Sequence, residues 1–123
     1  MKLIDSSGWL EFAIDGRLAR RFQTHLQDRA QVITPTIVLY EVYKRLKRDA
    51  SEAAADAIAA EMGKTRIISL DDQLALEAAE TSLAHSLPMA DAIVYATALS
   101  YGAALITCDA DFKDLPQVVY LKK

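Results

Sequence analysis

The sequence predicts an α/β fold, a three-layer α/β/α sandwich around a central parallel sheet of about four to five strands. Three observations point there. Short apolar runs alternate with helical patterns along the chain. The runs are continuously apolar, as strands buried on both faces are, and do not alternate polar with apolar. The chain has 123 residues, which suits one domain, residues 1–123, with its own core.

"KLID" (Lys2–Asp5) reads as a strand that ends in an acid. "SSGWLEFAID" follows as a short helix, with Ser6 or Ser7 as N-cap and Gly16 as its breaker. In "RLARRFQTHLQDRA", Leu18, Phe22 and Leu26 stand at helical spacing with cations on the other faces. "QVIT" (Gln31–Thr34) is strand-like, and Pro35 suits the start of a helix running to about Asp49. A helix over Ser51–Met62 begins with a cap at Ser51 and ends at Gly63. "TRIISL" (Thr65–Leu70) is a strand, and the next helix is capped by Asp71 or Asp72. Pro88 separates it from a helix over Met89–Tyr101, closed by Gly102. "AALIT" (Ala103–Thr107) and "QVVYL" (Gln117–Leu121) are the last strands.

The composition, 52% hydrophobic and 25% charged, is that of a soluble globular domain. No apolar run reaches the ~20 residues of a membrane span, and the N-terminus lacks the apolar core of a secretory signal. A single cysteine, Cys108, allows no internal disulfide, so the cytoplasm is the expected compartment, with no membrane partner. The net charge of −3 is unevenly distributed. Through Arg48 there are nine Lys and Arg against five Asp and Glu, and afterwards five against twelve. Arg17, Arg20, Arg21, Arg29, Lys44, Arg45, Lys47 and Arg48 form the basic group, which reads either as a solvated helix face or as a footprint for a polyanion.

Acids lie beside the most apolar segments. Asp5 and Asp109 stand at strand C-terminal ends, where open parallel sheets bind ligands. Glu41 shares a helix face with Ile37 and Val38, and Asp91 lies in the first turn of an alanine-rich helix. Each has an ordinary structural role open to it: Asp5 as a helix cap, Glu41 paired with Arg45, Asp91 at a helix N-terminus, Asp109 in a turn. Taken together, four clustered carboxylates require protonation or a cation. Oxygen ligands suit Mg²⁺ or Mn²⁺, whereas His25 and His85 lack the spacing of a zinc site. There is no glycine-rich phosphate loop.

"LIDSSGWLEF", "TPTIVLYEVYKRL", "PMADAIVYATAL" and "LITCDADF" together resemble the motifs of PIN-domain nucleases, and more narrowly the VapC toxins of type II toxin–antitoxin pairs. The resemblance covers nearly the whole chain, in the family's order. It implies a PIN-like fold and a Mg²⁺- or Mn²⁺-dependent endoribonuclease that cleaves structured RNA of the translation machinery. The family pattern falls on Asp5, Glu41, Asp91 and Asp109 as catalytic and metal-holding acids, with Asp111, Ser7 and Thr107 as assisting positions. It further implies a homodimer and a VapB-type antitoxin that blocks the site. Arg17, Arg20, Arg21, Lys44 and Arg45 would contact RNA or antitoxin.

A non-cleaving PIN-like module that binds RNA or a partner is the alternative. A phosphoacceptor receiver domain would need an acidic pair after the first strand and a helix after the last. A haloacid-dehalogenase-type phosphatase would need an acid where Ser7 stands. Trp9 and Phe12 are expected in packing, or else with Leu10 along an antitoxin groove. Cys108 is expected as a small buried filler, and Tyr40, Tyr43, Tyr95, Tyr101 and Tyr120 as core rather than as base-stacking platforms.

Overall fold

The computed structural model describes residues 1–123. Five parallel strands, β1 (Lys2–Ile4), β2 (Val32–Pro35), β3 (Arg66–Ile68), β4 (Ala104–Thr107) and β5 (Val118–Tyr120), form one sheet in the order β3-β2-β1-β4-β5. Six α-helices, α1 (Ser6–Ala13), α2 (Ala19–His25), α3 (Thr36–Asp49), α4 (Glu52–Met62), α5 (Asp72–His85) and α6 (Met89–Ser100), complete the α/β/α sandwich. From β1 the chain winds outward through β2 to β3. It then crosses back to place β4 on the other side of β1. The order reverses between β1 and β4, and ligands of open parallel sheets bind past the carboxyl ends of the strands at such a reversal.

The continuous apolar patterning of the central strands has a plain cause. Leu3, Ile4, Val32, Ile33, Leu105 and Ile106 are all buried, between helices on both faces. The outer strands are shorter than the sequence predicts. Arg66 and Ile67 of β3 and Val119 of β5 are exposed, because these strands lie at the sheet edges. Leu18, Phe22 and Leu26 are buried as their spacing predicts, although the helix itself spans only Ala19–His25.

The helix ends show which sequence signals act. Ser51 caps α4 through Ala54 N–H, and Asp71 caps α5 through Leu74 N–H. Gly102 follows α6 at φ +62, the left-handed position that favours glycine after a helix. Two expectations are corrected. Asp5, and neither Ser6 nor Ser7, caps α1 by accepting Gly8 N–H. Gly16, expected to break α1, lies beyond its end: the helix stops at Ala13, and Asp15 takes the left-handed φ of 54. Gly16 is required by close approach, since a Cβ there would lie 2.2 Å from Glu11 Oε2. Glu11 is itself buried, accepting Leu18 N–H at 3.1 Å and Lys123 Nζ at 2.7 Å. No helix is long and apolar enough to cross a membrane.

Candidate active site

The strand ends at the reversal collect the acids. Asp5 follows β1 and Asp109 follows β4, its hydrogen-bonded neighbour. Asp109 caps a 3₁₀ turn, Ala110–Phe112, by accepting Asp111 N–H at 2.9 Å, and this turn brings Asp111 beside it. Asp91 arrives from the first turn of α6. One carboxylate oxygen from each of Asp91, Asp109 and Asp111 lies within 4.8 Å of the others. Glu41, half-buried on α3, feels the charge of Asp109, and so does Asp5. The structure thus brings Asp91, Asp109 and Asp111 together, ties Asp5 to Asp109 through Thr107, and leaves Glu41 near enough to Asp109 to feel its charge.

Asp5 is held most tightly. It is 3% exposed. Ser7 Oγ donates to its Oδ1 at 2.7 Å, Gly8 N–H to the same oxygen at 3.2 Å, and Thr107 Oγ1 to Oδ2 at 2.7 Å. Thr107 in turn accepts Asp109 N–H at 2.9 Å, and Ser7 accepts Cys108 N–H at 3.2 Å. The two hydroxyls thus splice the loop after β1 to the loop after β4. Cys108 is half-buried, and its backbone, through that bond to Ser7, is part of the splice.

Burial pushes the Asp5 carboxyl up to about 6 despite these three donors, with a smaller push from Asp109. Asp91 is raised to about 7 by burial first, then by the charge of Asp109, the close carboxylate of Asp111 and the charge of Asp5. Glu41 is raised by burial, opposed by the Ser6 hydroxyl and reinforced by Asp109. Desolvation thus leads and like-charge repulsion follows. No cationic side chain neutralises Asp5, Asp91, Asp109 or Asp111, since none of them takes part in an ion pair.

The basic residues separate into three groups, with Lys47 apart from them and paired with Glu52 at 3.5 Å. Lys44, Arg45 and Arg48 line a groove of about 260 Å³ on α3, together with Ser6, Leu10, Tyr40 and Glu41. Arg17, Arg20 and Arg21 are exposed around the start of α2 and line no part of this groove. Arg29 is structural, pairing with Glu61 at 3.0 Å and lying over the Phe12 ring. Trp9 is fully buried, so it belongs to the core; of the three residues considered for a groove, only Leu10 lines this one. Tyr95 is core as expected, but Tyr40 is 61% exposed and corrects the expectation that all five tyrosines are packed. Its signal was present in the sequence, directly before Glu41 and one helical turn before Lys44.

The family model of the PIN domain matches residues 2–118. The chain belongs to the PIN domain family. Several solved structures similar to this PIN domain are of toxins or toxin–antitoxin complexes. A toxin–antitoxin complex from Klebsiella pneumoniae is 25% identical, with a TM-score of 0.80 over 97% of this chain and 96% of that one. VapC20 of Mycobacterium tuberculosis, a sarcin–ricin-loop-cleaving toxin, is 23% identical, with a TM-score of 0.78 over 94% and 95%. DNA-bound VapBC from Salmonella typhimurium is 14% identical, with a TM-score of 0.73 over 98% and 97%. No curated protein matches the sequence. The reversal point of this PIN domain's sheet carries an acidic group of the kind that divalent-metal nucleases use.

Proposed function

We propose that this PIN domain is a metal-dependent endoribonuclease toxin of VapC type, hydrolysing phosphodiester bonds in structured cellular RNA and held in check by a VapB-type antitoxin. The observation that carries the reading is the unneutralised convergence of Asp91, Asp109 and Asp111 beside the buried Asp5. The donor set fits a small hard cation. Three oxygens within 4.8 Å of one another come close to the about 4.2 Å that separates opposite ligands in a shell of about 2.0–2.1 Å, so a small inward shift would close them on the ion and leave positions for water and phosphate. Carboxylates whose pKa values are already raised gain most from such a charge.

In this reading Asp91, Asp109 and Asp111 hold Mg²⁺ or Mn²⁺, and Asp5 and Glu41 complete the site at its border. A divalent cation bound there supplies Lewis-acid polarisation of a phosphodiester oxygen and activation of water. The chain's own task is placement. Ser7 and Thr107 fix both oxygens of Asp5, and the 3₁₀ turn fixes Asp109 against Asp111. Lys44 and Arg45, beside Glu41, attract the RNA backbone, while Arg17, Arg20 and Arg21 offer further contacts to RNA or antitoxin. The likeness to toxin–antitoxin complexes supports the antitoxin partner, and we assign the working unit as a homodimer.

The test is cleavage of total cellular RNA by metal-purified protein with Mg²⁺ or Mn²⁺ against chelator, with the new RNA ends sequenced. Asp91→Asn keeps the side chain's shape and removes one charge of the site. It should abolish cleavage while circular dichroism stays native. Cleavage at the parent rate by Asp91→Asn would replace the nuclease reading with that of a non-cleaving binding module.

A further inference from the structure

Tyr40 is the one Trp, Tyr or Phe side chain in the molecule that is exposed; every other such ring is partly or fully buried. It stands on α3 directly before Glu41, and both residues line the same groove. Lys44, one helical turn further along, places Nζ 3.3 Å from the Tyr40 hydroxyl and 5.3 Å from the ring centroid. Lys44 takes part in no ion pair. Arg48 continues the row a second turn on, and with Arg45 it shares the single carboxylate of Asp49, at 2.7 and 3.5 Å. The row therefore carries a surplus of positive charge along one side of an exposed ring and reaches the acids through Glu41.

An apolar partner would leave the cations unmatched, and an acidic peptide would satisfy them without using the ring. A single-stranded polyanion with flat bases uses both, phosphates on the cations and a base on the ring. We infer that Tyr40 is a stacking platform for an unpaired nucleobase of single-stranded RNA, that Lys44 binds the adjoining phosphate, and that this base flanks the phosphodiester presented to the acids. The inference rests on the nuclease reading for its last clause only. Stacking demands an unpaired base, so the groove selects loops and single strands over duplexes.

The test measures binding by fluorescence anisotropy on an Asp91→Asn background in Mg²⁺. The probes are an oligoadenylate of about twelve nucleotides, within the usual footprint of such grooves, and an equally long ribose-phosphate chain without bases. Tyr40→Ala should weaken oligoadenylate binding by between about fivefold and about a hundredfold and leave the baseless chain unchanged. Tyr40→Phe, which keeps the ring, should stay within about twofold of the Tyr40 protein. Lys44→Ala should weaken both probes. Because Tyr40 is exposed, each variant should melt as its parent does. Equal weakening of both probes by Tyr40→Ala, or of neither, overturns the inference. So does failure of the Tyr40 protein to bind oligoadenylate, or Tyr40-dependent binding of a polyglutamate peptide in preference to the RNA. The nuclease reading is judged separately, by cleavage with Asp91 in place. Tyr40-dependent binding without any cleavage would overturn that reading and leave the stacking platform standing.

Discussion

Replacing Thr107 with Val removes one hydroxyl and almost no volume, at a position with no exposed surface. That hydroxyl donates to Asp5 Oδ2 at 2.7 Å and accepts Asp109 N–H at 2.9 Å. With Asp5 ionised, losing a bond to a buried charge costs about 1.5–3 kcal/mol, and orphaning the N–H adds about 1 kcal/mol or more. The expected loss in metal-free protein at pH 8 is therefore about 3 kcal/mol, or roughly 10 °C in Tm for a domain of this size. The native Asp5 carboxyl titrates at about 6, so at pH 5 it is mostly protonated. The first contribution then falls to that of a neutral bond, about 1 kcal/mol, and the total to about 2 kcal/mol. Urea unfolding in chelator at both pH values reads the difference directly. A cost below about 1 kcal/mol at pH 8, or one that does not change between the two pH values, would refute the assignment of Thr107 as the donor that keeps Asp5 ionised.

The metal-free protein should lose stability as pH rises. Asp5 and Asp91 titrate near 6 and 7 in the native state against 3.8 ordinarily, so the folded chain binds these protons more tightly than the unfolded chain. Their contribution is complete below about pH 4 and is lost as pH climbs through about 6 and 7. Melts in chelator should give a lower Tm at pH 8 than at pH 5, and Mn²⁺ should raise the pH 8 value; a higher Tm at pH 8 in chelator would contradict the first statement, and no rise with Mn²⁺ the second. Gly16→Ala should destabilise by about 1–3 kcal/mol, because the new methyl strikes a Glu11 carboxylate already pinned by Leu18 N–H and Lys123. In a Glu11→Ala background most of that cost should vanish, and additivity of the two substitutions would count against a direct clash.

Much of this was legible in the sequence because each signal was local. Apolar runs marked the three central strands, and Ser51, Asp71 and Gly102 marked helix ends by their own chemistry. The acids were legible as a set because Asp5 and Asp109 end apolar runs and because four motifs, each with its acid, stand in the order of PIN-domain nucleases. What was not legible depends on long-range contacts. The splice from Asp5 through Thr107 to Asp109 joins residues a hundred positions apart. The Glu11–Lys123 pair, which explains Gly16, crosses almost the whole chain. Tyr40 was assigned to the core by residue type, but on α3 the buried stripe is Val38, Val42 and Leu46, and Tyr40 falls outside it. The basic residues read as one group in sequence, and only the fold separates those beside Glu41 from Arg29, which a carboxylate on α4 engages.

The central claim is that these acids form one divalent-metal site, and anomalous diffraction from crystals soaked in Mn²⁺ tests it most directly. The account predicts a strong peak between Asp91 and Asp109, with ligand oxygens at roughly 2.0–2.3 Å and Asp5 and Glu41 on its border, and loss of that peak in Asp91→Asn. A map with no peak at millimolar Mn²⁺, or with an ion bound away from Asp91 and Asp109, would contradict it.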